Sequence, residues 1–252
     1  MNMKVVGIIP SRYASTRFPG KPLALIKGKT MIRRVCEQAW KSKLDAVVVA
    51  TDDVRIADEV MSFGGKYVLT NPNHPSGTDR CREALDMLET QYDAVVNIQG
   101  DEPFIDPEQI NLLVDLISRE DVQLASLAKR IEDEDDLFGP NAVKVVMDKE
   151  GNAMYFSRNP IPFMRNVERT EWLKKGVFYH HIGIYAYKAE TLRKVANLQP
   201  SALEQAESLE QLRWLENGFS IRMAVTDSVN VSIDTPKDLE KAMCFAENNL
   251  NE

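Results

Sequence analysis

The feature that most constrains this chain is the alternation, over its first 118 residues, of short apolar runs with amphipathic stretches of helix length. Val5 to Pro10, Ala46 to Thr51, Lys66 to Leu69 and Ala94 to Ile98 have the length and β-branched character of buried strands. Between the first two, Thr30 can cap a helix through Lys41, with Met31, Val35, Ala39 and Trp40 at near-helical spacing. A helix over Val54 to Phe63 stops at Gly64-Gly65, and a loop rich in Pro, Asn and Gly spans Asn71 to Gly77 before a helix runs on from Thr78. Asp106 reads as the N-cap, and Pro107 as the first residue, of a helix through Ser118. Strand and helix in strict alternation build a mostly parallel, doubly wound α/β sheet.

The remainder changes character. Ala142 to Val146, Met154 to Phe156 and Ile182 to Tyr187 are strand-like, but Pro160 to Met164 interrupts them, which predicts an inserted, partly antiparallel lobe. Helices are expected at about Ala189 to Asn197 and Ser208 to Asn217, then a strand Ser220 to Val225 and a last helix from Pro236. The acidic run Glu132 to Asp136 reads as a solvated surface segment rather than a metal site. The expected organisation is one α/β domain: residues 1–118 as a doubly wound half, about 119–225 as the inserted lobe, and 226–252 as a returning segment with the C-terminal helix.

Composition narrows the function classes. With 31 Lys+Arg against 38 Asp+Glu the net charge is −7, which disfavours general binding of nucleic acid or an anionic membrane. Any phosphate site must then be local. The longest apolar runs fall far short of a membrane span, and Val5 to Pro10 is too short for a secretory signal, so the reading is cytoplasmic. Cys36, Cys81 and Cys244 form no CxxC pair and are expected as buried or half-buried free thiols in a reducing compartment.

Three clusters could carry chemistry. The first strand runs into Ser11-Arg12-Tyr13-Ala14-Ser15-Thr16-Arg17-Phe18-Pro19-Gly20-Lys21-Pro22, at the carboxyl end of a strand, where open α/β sheets bind ligands. Its small residues admit an anion to the backbone, and Arg12, Arg17 and Lys21, with no acid between them, can clamp a polyphosphate. Gln99-Gly100-Asp101-Glu102-Pro103 follows the fourth strand, and Asp101 can hold Mg²⁺, which commonly takes one or two carboxylates plus substrate oxygens. Asp234, before Thr235-Pro236, is either a helix cap or a second such ligand. No Ser/His/Asp spacing or reactive Cys setting suggests a covalent intermediate.

Joined in order, the segments PSRYASTRFPGKPL, HPSGTDR, NIQGDEP, NAVKVV, YFSR, HIGIYAY, LEQLR and DTPKDLE give a specific resemblance over nearly the whole chain. They resemble the CMP-Kdo synthetases, the 3-deoxy-manno-octulosonate cytidylyltransferases of lipopolysaccharide biosynthesis. The resemblance implies a fold of the nucleotide-diphospho-sugar transferase type, with residues 1–118 as the nucleotide-binding half, about 119–225 as the sugar-binding and dimerisation lobe and 226–252 as the returning metal-ligand segment, a Mg²⁺-dependent homodimer, and CTP and a 3-deoxy-octulosonic acid as partners. It places Arg12, Arg17 and Lys21 at the CTP phosphates, with Ser76, Gly77, Thr78, Asp79 and Arg80 near the nucleotide and Ser11 among the substrate-binding residues, and makes Asp101 and Asp234 the metal ligands. Gln99, Arg158, His181, Tyr185, Glu210 and Gln211 would meet the sugar acid. Taken singly, a residue like His181 is more often a satisfied structural histidine and one like Glu210 more often a solvated helix face.

Two departures from the family pattern stand out. His180 occupies a position where the common form has Arg, and Met164 one where it has Asp. Both are expected near the sugar, and an 8-amino-3,8-dideoxy relative of the sugar acid becomes a candidate substrate. The implied reaction is attack of the anomeric hydroxyl on the α-phosphorus of CTP with release of pyrophosphate. Another sugar nucleotidyltransferase shares this logic. An NAD-dependent dehydrogenase would want a Gly-rich fingerprint in place of Arg12 to Lys21, and a non-catalytic nucleotide sensor would not need both Asp101 and Asp234.

Overall fold

The computed structural model describes residues 3–14, 17–228 and 231–249. The chain folds into two compact units, Met1–Val114 with Val229–Glu252, and Asp115–Ser228.

The first unit opens with β1 (Val5–Ser11), then a tight hairpin of β2 (Leu25–Ile26) and β3 (Lys29–Thr30). Lys27 and Gly28 at the hairpin's tip both have positive φ, as a type I′ turn requires. There follow α1 (Met31–Ala39), β4 (Ala46–Thr51), α2 (Val54–Ser62), β5 (Lys66–Leu69), α3 (Gly77–Met87), β6 (Ala94–Asn97) and α4 (Pro107–Ile117). Thr30 caps α1, its hydroxyl accepting from the Arg33 N–H, and the Asp106 carboxylate accepts from the Glu108 N–H at the start of α4. The strands lie in the order β6-β1-β4-β5, all parallel. β1 and β4 are buried almost throughout, which accounts for their unbroken apolar sequences. The chain winds outward through β1, β4 and β5, then returns to lay β6 on the other side of β1. The winding therefore reverses between β1 and β6, and loops leaving the carboxyl ends of those strands flank a crevice.

The second unit contains β7 (Leu124–Arg130), α5 (Glu134–Phe138), β8 (Lys144–Met147), β9 (Ala153–Ser157), α6 (Trp172–Lys175), β10 (Tyr179–Lys188), α7 (Ala189–Ala196), α8 (Ala202–Glu207), α9 (Glu210–Glu216) and β11 (Arg222–Val225). β7 lies between a parallel β11 and an antiparallel β10, while β8 pairs antiparallel with both β10 and β9. The predicted mixture of strand directions is present. β7 was not expected, because its Leu-Ala-Ser-Leu-Ala run has no β-branched residue and is buried on both faces. α8 was not expected either, although the Ser201/Glu204 capping box marks its start. α9 begins at Glu210 rather than Ser208 because Ser208 is in the left-handed region, at φ 52°. The acidic run is the start of α5: Asp133 caps it, and Glu134, Asp135 and Asp136 occupy a first turn that favours negative charge.

The chain returns to the first unit as α10 (Pro236–Asn249). Ile233, Ala242 and Ala246 pack with Ile26, Met31 and Phe104, a cluster that fixes the segment carrying Asp234. Cys36 and Cys81 are buried, whereas Cys244 is exposed on α10, contrary to expectation. No helix among the described residues is long and apolar enough to cross a membrane.

Candidate active site

A cavity of about 250 Å³ opens in the first unit at the reversal point. Its wall includes Ser11, Arg12, Arg17 and Lys21 from the segment after β1, Gln99, Gly100 and Asp101 after β6, Ser76, Gly77 and Arg80 at the start of α3, and Asp234. Close approach of the two strand ends requires glycine at position 100: a Cβ there would stand 2.9 Å from the Pro10 carbonyl oxygen. The Ser11 hydroxyl is buried in this wall without a protein partner, which leaves it to water or to a ligand group in the cavity.

The electrostatic centre is a cation shared by two carboxylates. Lys21 Nζ donates to Asp101 Oδ2 at 2.8 Å and to Asp234 Oδ1 at 3.3 Å, and Arg17 Nη2 reaches Asp234 Oδ1 at 3.0 Å. Residues far apart in sequence meet because the Ile233 N–H donates to the Asp101 carbonyl at 3.0 Å, tying the end of β6 to the approach to α10. The structure also separates the two readings of Asp234. α10 is capped by Thr235, whose hydroxyl accepts from the Asp238 N–H at 3.3 Å, while the Asp238 carboxylate accepts from the Thr235 N–H at 3.0 Å. Asp234 is therefore not the cap, and its carboxylate faces the cavity with Asp101.

This pair fits Mg²⁺ in chemistry. Two hard carboxylate oxygens converge on one ammonium, and a divalent cation could take that place with its other positions left to water and phosphate oxygens. No cluster of three or more metal-ligating side chains occurs among the described residues.

Ser76 caps α3: its hydroxyl accepts from the Asp79 N–H at 3.2 Å and donates to the Asp79 carboxylate at 2.7 Å. Gly77 lines the cavity and Thr78 is buried just behind it. Arg80 forms part of the wall, but its guanidinium is buried and committed to Thr70 Oγ1 at 2.6 Å and Asp52 Oδ2 at 2.7 Å. His74, which sequence reasoning did not single out, also lines the cavity and is held by Glu83. Its place in the HPSGTDR segment was the available signal.

In the second unit His181 and Tyr185 share one face of β10, their rings 5.4 Å apart, with Phe156 and Trp214 packed against them. His181 is fully buried and its pKa is pushed down to about 3 by desolvation, so the imidazole is neutral. Its Nε2 lies 2.9 Å from Ser126 Oγ, which bonds to the Ile182 and Ile184 carbonyls. With the single Ser126 hydrogen given to one of those carbonyls, the hydroxyl oxygen accepts from Nε2–H, which leaves Nδ1 an acceptor. Burial and the nearby Glu210 raise the Tyr185 hydroxyl well above its usual pKa. Glu210 and the buried Gln211 open α9, and Arg158 fixes the approach to that helix. The Arg158 guanidinium donates to the carbonyls of Glu207 at 2.7 Å, Ser208 at 3.2 Å and Pro140 at 3.1 Å. Three of its five donors are thus spent on backbone rather than left for a substrate carboxylate.

His180 and Met164 do not join this group. Successive strand residues point to opposite faces, and His180 is cross-strand from Lys129 and Lys144, with Asp136 as its main favourable charge. Burial lowers its pKa. Met164 packs against a cluster of Ile131, Leu137, Trp172 and Phe178.

The sequence model of the cytidylyltransferase family matches residues 6–224. The 3-deoxy-manno-octulosonate cytidylyltransferase of Parabacteroides distasonis is 54% identical over 250 residues, covering 98% of this chain and 99% of that one. The chain belongs to this cytidylyltransferase family. The enzyme of the same name from Cytophaga hutchinsonii is 55% identical over 240 residues, covering 94% and 96%. Among solved structures, a CMP:2-keto-3-deoxy-manno-octonic acid synthetase complexed with CTP matches with a TM-score of 0.91 at 40% identity, covering 98% of this chain and 100% of that one. A 4-diphosphocytidyl-2C-methyl-D-erythritol synthase from Anaerococcus prevotii, at 15% identity and a TM-score of 0.63, covers 98% and 97% and shares the fold. The α/β fold of the nucleotide-diphospho-sugar transferase type expected from the sequence is the one observed.

Proposed function

We propose that the protein transfers CMP from CTP to 3-deoxy-manno-octulosonate, releasing pyrophosphate. The observation that carries this reading is the convergence of Lys21, Arg17, Asp101 and Asp234 in a cavity at the reversal point of the sheet. The names borne by the relatives at more than half identity support the sugar acid, and the CTP held by the matched synthetase supports the nucleotide.

Arg12, Arg17 and Lys21 neutralise the triphosphate and the charge that collects on departing pyrophosphate. Lys21 is held by Asp101 and Asp234 in the unliganded site and turns to the phosphates as they enter. Asp101 and Asp234 would hold Mg²⁺, which supplies charge neutralisation at the α-phosphate and the attacking oxygen. The Ser11 hydroxyl gains a phosphate partner. On the sugar side, His181 offers Nδ1 as an acceptor and Tyr185 a hydroxyl that stays protonated, with Glu210 and Gln211 supplying further donors and acceptors to a polyhydroxylated chain. Arg158 offers the carboxylate the two N–H groups that the Glu207, Ser208 and Pro140 carbonyls leave over. The family resemblance adds a homodimer.

The unmodified sugar acid is favoured over its 8-amino relative because neither departure from the family pattern lies with the sugar-acid residues of the second unit. His180 belongs to the opposite face of β10, and Met164 to an apolar cluster. The test is kcat/KM for 3-deoxy-manno-octulosonate, its 8-amino form and a sialic acid with CTP and Mg²⁺. The first should lead in wild type and in His180→Arg alike. Preference for the 8-amino sugar, lost in His180→Arg, would reverse the assignment.

A further inference from the structure

Tyr13 sits in the middle of the cationic loop, between Arg12 and Arg17, yet is not part of the cavity wall. Its contacts point the other way. The Tyr13 carbonyl accepts from the Gly20 N–H at 2.9 Å, closing the loop on itself. Its ring fills the space a side chain at position 20 would need, since a Cβ there would stand 3.1 Å from the ring Cζ and hydroxyl oxygen. A side chain at position 20 would press on this ring and strain a backbone held at φ 72°.

The face of the Tyr13 ring is covered by Arg55, whose Cζ lies 3.3 Å from the ring centroid. That guanidinium is fixed from the other side. Arg55 Nε donates to Asp53 Oδ1 at 2.9 Å and Nη2 to Asp53 Oδ2 at 2.6 Å, a two-pronged pair that sets the plane of the cation. Asp53 is itself the N-cap of α2, accepting from the Arg55 N–H at 3.0 Å, so the stack is referred to a rigid helix end. The preceding residue, Asp52, holds Arg80 in the cavity wall. The turn from β4 into α2 thus braces the cavity twice, through Asp52 and through Asp53 with Arg55.

Arg12 and Arg17 are exposed, and ordering long cationic side chains on a triphosphate costs conformational entropy. A loop pinned at Tyr13 and Gly20 leaves less to order when the triphosphate binds. We infer that Tyr13 and Arg55 are positioning residues for the nucleotide triphosphate, holding the loop in its phosphate-receiving shape through the Asp53–Arg55–Tyr13 stack. This rests on the reading of the loop as the phosphate site. It requires the flat ring of Tyr13 and does not require its hydroxyl, and it makes the two side chains one device rather than two.

The experiment is calorimetric titration of CTP into the full-length protein with Mg²⁺ and no sugar, together with steady-state KM values for both substrates. Arg55→Ala, on the surface and safe for folding, should raise the CTP dissociation constant roughly two- to fivefold, the range an exposed cation–π stack can supply. Tyr13→Ala should weaken CTP further, because it also frees Gly20, and Tyr13→Phe should bind as wild type does. Adding Arg55→Ala to Tyr13→Ala should change nothing more. The KM for the sugar acid should be unaffected in all of them. Additive losses in the double variant, equal losses in Tyr13→Phe and Tyr13→Ala, or CTP binding unaltered by Arg55→Ala would overturn the inference. Lys21→Ala separates the underlying reading: if it too leaves CTP binding unchanged, the loop is not the phosphate site and both fall; if it alone weakens CTP, only the stack's role falls.

Discussion

The ammonium of Lys21 lies 2.8 Å from the Asp101 carboxylate, and it reaches Asp234 from the same position, so a lysine occupies the point where the two acids converge. An ammonium and a divalent cation cannot share that point. Lys21→Gln should therefore bind Mn²⁺ more tightly than wild type when no nucleotide is present, while binding CTP more weakly. Manganese titration followed by electron paramagnetic resonance reads the first effect and calorimetry the second. Equal Mn²⁺ affinity in the two proteins would show that the lysine does not compete for the site.

Asp101→Asn and Asp234→Asn should each lower turnover at least about a hundredfold, or about 2.7 kcal/mol of transition-state stabilisation, because a neutral amide is a poor ligand for a hard cation. The fold should survive, since α10 is capped by Thr235 and Asp238. Near-wild-type rates at saturating Mg²⁺ would remove both residues from the metal assignment.

His181 gives a pH signature. Its pKa falls from an ordinary 6.5 to about 3 on burial, so at intermediate pH the unfolded chain binds a proton that the folded chain refuses. Stability contributed by the neutral imidazole is full above pH 6.5 and declines as pH falls toward 3, by about 1.4 kcal/mol per pH unit. Urea unfolding across this range should show the decline in wild type and a shallower one in His181→Gln. Identical slopes would mean that the imidazole is not held neutral by the fold.

Arg158→Lys keeps the charge and loses the fork that spans the Glu207, Ser208 and Pro140 carbonyls. The approach to α9 should loosen, raising the KM for the sugar acid while leaving the KM for CTP near its wild-type value. A matched rise in both would assign Arg158 a general structural role.

What was legible in the sequence was what short-range periodicity and local chemistry encode. The strands Ala46–Thr51 and Lys66–Leu69 have the expected limits, and Thr30 caps α1 as expected. The cavity brings together Arg12, Arg17, Lys21, Asp101 and Asp234, all nominated from their places beside strand and helix ends. β7 escaped because burial on both faces, rather than β-branched composition, makes it a strand. Whether Asp234 caps or faces the cavity could not be read from Asp-Thr-Pro alone, since the answer depends on Asp238 and on the bond from Ile233 to Asp101. Arg80 and Arg158 have the right chemistry for a ligand, but the partners of a long cation are chosen by tertiary structure, and here many are internal. His180 was separated from His181 by the pleat of a strand that starts at Tyr179 instead of Ile182.

Pyrophosphate released by the purified protein from CTP and Mg²⁺, measured with and without 3-deoxy-manno-octulosonate, reports CMP transfer itself. Release should require the sugar acid and match CMP-sugar formed mole for mole. Pyrophosphate appearing equally fast without the sugar, or none appearing with it, would rule out transfer of CMP to this sugar.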